Sequence, residues 1–285
     1  MAQPEVMKKY CRAAILLAAT LCAAPAWSQN VSLGTASNFG VLAGSAVTNT
    51  GPTVVRGNVG VSPGLAISGF PPGSIVPGSG TLHSGDPATL QAKADLVTAY
   101  NDAAGRICPV ANDLTGVVLG SGGTVLVLTP GVYCFAATAQ LTGALTLDGA
   151  GVYIFQVGSA LTTASASAVT LINGAEACGV WWQTGSSATL GTTTALAGNI
   201  LALTSITMNT GATIDGRVLA RNGAVTLDSN GVDACSGGPG PPVPPPRLLA
   251  AGVNNVPTLG PGALALLATL LLLATLVAMR RFPGK

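Results

Sequence analysis

The chain has 285 residues, of which 48% are apolar and only 8% charged, with 38 Gly and 19 Pro, whereas an ordinary soluble domain carries about 25% charged residues. Seven of the basic residues (Lys8, Lys9, Arg12, Arg247, Arg280, Arg281, Lys285) lie near the ends. Residues 27–236 hold five basic side chains (Arg56, Lys93, Arg106, Arg217, Arg221) against nine acidic ones, a net charge of −4. That balance disfavours nucleic-acid binding, which needs a basic face to replace phosphate counterions. The single histidine, His83, excludes a metal site built on several His.

Lys8, Lys9 and Arg12 precede an apolar run from Ala13 to Ala24, and Ala24-Pro25-Ala26 supplies the small-x-small pattern of a signal-peptidase site. Residues 1–26 are therefore expected to be a signal peptide, cleaved after Ala26 or after Ser28. The run is too short to span a bilayer. Leu21 stands where a lipoprotein signal at Cys22 would need a small residue.

Residues 29–236 are expected to form one domain. Asp86-Pro87 reads as an N-cap followed by a first-turn proline, Leu90, Ala94, Val97 and Tyr100 follow at helical spacing, and Gly105 is a suitable stop. His83 is expected to support that turn. The rest is β-rich and punctuated by Gly, Asn and Ser: Val152 to Val157, Val180 to Gln183, Asn199 to Leu203, Ser205 to Met208, Arg217 to Ala220 and Ala224 to Leu227. One pattern repeats, an apolar residue, Thr, then Leu or Met, centred on Thr146, Thr170, Thr189, Thr207 and Thr226. A helix-free repeat at this spacing, roughly 20 residues, predicts a β-solenoid with one coil per repeat. In phase with it, Asn199-Ile200-Leu201-Ala202 returns one repeat later as Arg217-Val218-Leu219-Ala220. If the flanking apolar residues point inward, the central Thr residues point outward and form a ladder on one sheet face. The opposite phase would bury five hydroxyls at a cost of ~1–3 kcal/mol for each left unpaired.

After signal removal Cys108, Cys134, Cys178 and Cys235 remain, an even number that suggests two disulfides in an exported chain. Cys108 with Cys134 and Cys178 with Cys235 is the most local of three pairings, and the sequence leaves the choice open. No Cys-x-x-Cys spacing occurs, and neither a metal nor another cofactor is expected.

The proline-dense stretch from Gly237 to Pro246 opens an extended linker over residues 237–255. Gly262 to Met279 is an uninterrupted uncharged run, followed by Arg280, Arg281 and Lys285. As a helix it would just span a membrane and leave the basic tail in the cytoplasm. Val256-Pro257-Thr258-Leu259 stands before it. The order of motif, apolar helix and basic tail over 256–285 resembles the Ile-Pro-Thr-Leu class of C-terminal sorting signals in Gram-negative bacteria, with Val in place of Ile. That resemblance implies a membrane-embedded processing enzyme as partner, and a plain membrane anchor through residues 262–279 is the other reading.

Across residues 29–236 the chain resembles the bacterial and fungal ice-binding proteins. The matching stretches are Leu33 to Gly51 (LGTASNFGVLAGSAVTNTG), Gly57 to Gly64 (GNVGVSPG), Ile67 to Gly73 (ISGFPPG), the helical DPATLQAKADLVTAYNDAAGR, TPGVYCF from Thr129, VYIFQVGSALTT from Val152, WWQTGSSATLGT from Trp181 and GNILALTSITMNTGATIDGRVLARNGAVTLDSN from Gly198. Asn58 departs from an expected Asp. The resemblance implies a mostly β fold, a right-handed discontinuous β-solenoid with one long α-helix packed alongside and the N-terminal segment stacked out of sequence order. It also implies an exported, non-enzymatic protein that adsorbs to ice through a flat Thr-rich face, in some members through motifs of the form Thr, Gly or Ala, any residue, Thr or Asn. Here Thr50-Gly51-Pro52-Thr53 and Thr210-Gly211-Ala212-Thr213 have that form. The candidate ice-binding residues are thus Thr50, Thr53, Thr170, Thr189, Thr207, Thr210, Thr213 and Thr226. An adhesive surface module on the same scaffold is the alternative, with Trp181, Trp182 and Tyr153 as candidate sugar-stacking residues, although inward packing also suits them. A glycan-cleaving enzyme would need two carboxylates ~5–10 Å apart; Asp215 beside an Asp of a neighbouring coil could supply them, but corner Asp residues ordinarily serve turns.

Overall fold

A computed structural model describes residues 30–121 and 126–235, all within the unit of the chain that ends at Gly240. The expected signal peptide, the linker, Val256 to Leu259 and the apolar run 262–279 lie outside the described residues. Among the described residues no helix is long and apolar enough to cross a membrane.

Short strands wind into a three-sided stack of coils whose sides are three eight-stranded, all-parallel sheets. Sheet A runs Gly131–Phe135, Tyr153–Val157, Val180–Thr184, Asn199–Ala202, Val218–Ala220, Phe39–Ala43, Asn58–Val61 and Leu82–Ser84. Sheet B runs Ala66–Ser68, Ala46–Thr50, Val225–Asp228, Ile206–Met208, Ala188–Leu190, Leu161–Thr163, Ala139–Leu141 and Val118–Leu119. Sheet C runs Ser74–Ile75, Val54–Arg56, Gly231–Asp233, Thr213–Asp215, Ala195–Ala197, Ala168–Ile172, Ala144–Asp148 and Leu126–Leu128. The chain builds one end of the stack from residues 39–84 and then sends a helix, Pro87–Gly105, along sheet A. It resumes at the far end with Val118–Leu119 and coils back until Val218–Ala220 pairs with Phe39–Ala43. This is the expected discontinuous solenoid, closed by pairing between strands from opposite ends of the domain sequence.

Coil length follows the side chains in the bore. Tyr133, Phe155 and Trp182 occupy equivalent positions in successive coils, their rings stacked at centroid separations of 5.5 and 4.0 Å. The same column continues as Ile200, Val218, Val41 and Val59. The coil from Phe155 to Trp182 is half as long again as those from Trp182 to Ile200 and from Ile200 to Val218, so the longer coils enclose the rings and the shorter ones close on aliphatic residues. Each such side chain contributes ~1.5–3 kcal/mol by leaving water. Between sheets C and A the chain turns at glycines that admit no side chain: Gly216 has φ +147°, and a Cβ there would stand 2.0 Å from the Gly198 carbonyl oxygen of the next coil.

The helix begins where the sequence indicates. Asp86 accepts the Thr89 backbone N–H at 2.9 Å, His83 Nδ1 lies 2.6 Å from the Asp86 carboxylate, and the Thr81 hydroxyl is 2.9 Å from His83 Nε2. The buried face differs from the expected stripe. Thr89, Ala92, Leu96, Ala99, Tyr100 and Ala103 face the sheet, while Leu90 is 57% exposed and Ala94 is exposed as well. Sheet A already presents Leu42, Ile154, Trp181, Leu201 and Leu219 outward into this contact, so small alanines let the helix settle onto them. Polar clamps complete the seal. Lys93 Nζ donates to the carbonyls of Ala220 and Arg221, and Gln156 Nε2 donates to Ala103 O and Arg106 O at the helix end. Burial, with Arg221 nearby, pulls the Lys93 ammonium down to about 8.

Cys108 and Cys134 form the expected disulfide, tying the segment after the helix to the first strand of sheet A; a loop of this length contributes about 3–4 kcal/mol through the unfolded chain. Cys178 and Cys235 differ from the expectation, since both are free thiols.

Candidate functional site: an uncovered threonine ladder

The three outer faces differ in chemistry. Helix and N-terminal segment cover sheet A. Sheet C carries ionic groups at one end, where Arg56 pairs with Asp233 at 3.2 Å and Asp215 stands next to Asp233 in register. Burial, and then the Asp233 charge, push the Asp215 carboxyl above the usual carboxylate range. In the strands of sheet B the single ionisable side chain is Asp228, at the strand end.

Sheet B owes its chemistry to alternation. Val47, Val225, Leu227, Ile206, Met208, Ala188, Leu190, Leu161 and Leu141 are buried in the bore, which turns the intervening residues outward. In register these are Ser68, Thr48, Thr226, Thr207, Thr189, Thr162 and Gln140. Five consecutive rungs are threonine, spaced at the ~4.8 Å of neighbouring strands. The Thr48 and Thr226 hydroxyls lie 3.4 Å apart. Two positions earlier, Ala66 and Ala46 pair as a further outward row of small side chains. The face is flat, methyl- and hydroxyl-bearing, and free of charge along its middle. β-Branching restricts each Thr to few rotamers, so its methyl and hydroxyl are already placed before anything binds.

Several expected positions belong to this ladder and others do not. Thr189, Thr207 and Thr226 are adjacent rungs. Thr170 is not: it lies on sheet C, paired with Thr146. The apparent five-member repeat is therefore two columns on two faces, because coils differ in length and the step from Thr170 to Thr189 crosses from one face to the other. Thr50 ends a sheet B strand opposite Asp228. Thr210 sits in the following turn and donates to the Asp228 carboxylate. Thr213 opens a sheet C strand. Thr53 is wholly buried, where its hydroxyl accepts the Asn230 backbone N–H at 3.0 Å, a corner fastening that excludes it from any surface role. Sequence reasoning missed Thr48 and Thr162. Both sit at the centre of a short strand segment with an apolar residue before them, Val47-Thr48-Asn49 and Leu161-Thr162-Thr163, a signal hidden by the demand for Leu or Met afterwards.

The sugar-stacking reading of the aromatics is overturned. Tyr153 and Trp182 are completely buried in the bore, and Trp181 is 2% exposed beneath the N-terminal segment, its Nε1–H donating to Asn30 Oδ1 at 2.8 Å. Adjacent Trp residues point to opposite sides of one strand, and both sides of that strand are covered. Among the described residues no group of three or more His, Cys, Asp and Glu could hold a metal ion.

A parallel solenoid with a helix along one face and a bare threonine ladder on another defines the class. Residues 41–233 match the ice-binding-like family, and the chain belongs to it. An ice-binding protein of Nostoc sp. (strain HG1) is 55% identical over 209 residues, covering 71% of this chain and 74% of that one. A crystal structure of an ice-binding protein from an Antarctic biological consortium superimposes with a TM-score of 0.67 at 44% identity, covering 75% of this chain and 95% of the other. An ice-binding protein from an Arctic yeast, whose structure was solved for the basis of its antifreeze activity, gives a TM-score of 0.61 at 27% identity over 75% of this chain and 96% of its own.

Proposed function

We propose that the protein adsorbs to ice through the outward face of sheet B and thereby restrains ice growth, with no bond made or broken. The observation that carries this reading is the in-register ladder of Thr48, Thr226, Thr207, Thr189 and Thr162 on a face that no described residue covers and that carries no charge along its middle. A growing ice surface offers no charge to pair and no pocket to fill; it is bound by a flat array that holds water in a lattice-like repeat. Rungs at the strand spacing provide the repeat, methyl groups exclude disordered water, and hydroxyls join the ordered layer. Charged side chains would impose their own hydration, and on sheet B the nearest, Asp228, is at the margin. The ice-binding relatives from bacteria and fungi support the same reading.

Export fits this role. We infer secretion through the leader at residues 1–26 and tethering or release at residues 256–285, readings that rest on the sequence. Residues 29–236, produced with the Cys108–Cys134 bond formed, are expected to inhibit ice recrystallisation and produce thermal hysteresis, and a heat-denatured control is expected to do neither. A folded domain without either activity would refute the proposal.

A further inference from the structure

The corner between sheets C and A, within the stack and away from either end, carries a second pair of cysteine sulfurs that ice adsorption does not use. Cys178 lies in the short turn Ala177–Gly179 that leads into Val180–Thr184 of sheet A. Cys235 follows the last strand, Gly231–Asp233 of sheet C. Residues 234–235 run on past this strand at the corner between the two sheets, beside Arg217 and Asn199 of neighbouring coils. Arg217 Nη2 donates to Ala234 O, Arg217 Nη1 donates to Asn199 Oδ1 at 3.0 Å, and Asn199 Nδ2 donates to Cys178 O. Cys235 Sγ lies 3.9 Å from Asn199 Oδ1, on the same amide whose Nδ2 donates to Cys178 O, so the two cysteines, distant in sequence, are neighbours around one side chain.

We propose that Cys178 and Cys235 form an oxidation site that closes by exchange with an external disulfide, such as oxidised glutathione or a protein disulfide donor, and staples the chain end across the coils. The Cys178 thiolate attacks one sulfur of the donor, whose S–S bond breaks and releases one thiolate. The Cys235 thiol then gives up its proton to solvent and attacks Cys178 Sγ, expelling the second donor thiolate. Two protein thiols are oxidised and one donor disulfide is reduced to two thiols. Cys178 is the attacking group, because the neighbouring Cys235 thiol and the Arg217 charge bring its thiol down to about 7, against the opposing effect of burial, whereas the neighbouring Cys178 and burial push Cys235 upward. The staple would fasten the final coil at the root of the proline-rich segment that follows.

The full chain, incubated with oxidised glutathione and digested with trypsin, tests this directly. Cleavage after Arg106, Arg217, Arg221 and Arg247 places Cys178 on peptide 107–217 and Cys235 on peptide 222–247. The two peptides are expected to run as one until reduced, and the oxidised chain to melt roughly 5–15 °C above Cys178→Ser treated alike. Cys178→Ala serves as a second control should the serine variant fold poorly. Both thiols lie off sheet B, so ice activity is expected to be the same in the variants and the parent, which separates this site from the ice-binding reading. Free thiols, or two separate glutathione adducts, would overturn the proposal; a linked chain with an unchanged melting temperature would overturn the staple.

Discussion

Leu201 of sheet A and Thr207 of sheet B lie on either side of one corner of a single coil, and Leu42 with Thr48 and Leu219 with Thr226 stand in the same relation in other coils. All six residues point out of the bore, yet the leucines are completely buried and Thr48 and Thr226 are exposed. On sheet A an apolar outward row demands a cover, which the helix and residues 31–39 supply. On sheet B an outward row of short hydroxyl side chains needs none, since each hydroxyl can be satisfied by water. The coil thus sorts its sides by chemistry. A bare face remains bare because nothing on it calls for a packed partner, and that same property suits it to ordered water.

Substitutions on either side of the corner test this division. Trp182→Ala, which empties the bore shared by both sheets, is expected to cost ~3–5 kcal/mol and to remove ice activity only along with the fold, as thermal melting and circular dichroism would reveal. Giving sheet A the chemistry of sheet B, Leu201→Thr beneath the helix, should cost at least ~2 kcal/mol, because a cavity and an unpaired hydroxyl replace a packed side chain; denaturant titration reads this, and an unchanged midpoint would show that the helix does not depend on the row below it. Charging sheet B by Thr207→Glu should abolish most thermal hysteresis while shifting stability by no more than ~0.5 kcal/mol.

The smallest effect concerns the helix start. The Thr89 backbone N–H, and then His83, bring the Asp86 carboxyl down to about 2 from 3.8. Its capping contribution is complete above pH 3.8 and declines as pH falls through about 2. Asp86→Asn, which still caps, should flatten that part of the stability profile, measured by melting between about pH 4 and about pH 2; an equally steep profile in the variant would assign the acid sensitivity to another carboxylate.

The return of Asn199 to Ala202 as Arg217 to Ala220, the Asp86-Pro87 helix start and the inward phase of the residues beside Thr189, Thr207 and Thr226 were all legible in the sequence, because each is a local pattern with one physical solution. The grouping of the threonines was not. Three strands of every coil can carry an apolar-Thr-apolar segment, and the step from Thr170 to Thr189 imitates one coil although the true partner of Thr189 is Thr162, which lies further back along the chain. Coil length depends on the bulk in the bore, and no local window contains it. The helix stripe failed for a related reason: Leu90 and Val97 are the more apolar choices, but sheet A already fills the contact with large side chains and selects Ala92, Ala99 and Ala103 against them. Thr53 was misplaced because a buried corner hydroxyl and an exposed ladder hydroxyl have the same sequence signature.

Sheet B, not sheet C, is the face proposed to meet ice. Partition into a slowly growing ice hemisphere, compared for Thr207→Glu on sheet B and Thr170→Glu on sheet C with both variants shown to be folded, separates the two faces. Thr170→Glu is expected to enter the ice like the parent protein and Thr207→Glu to stay in the liquid; incorporation of Thr207→Glu with exclusion of Thr170→Glu would overturn the assignment.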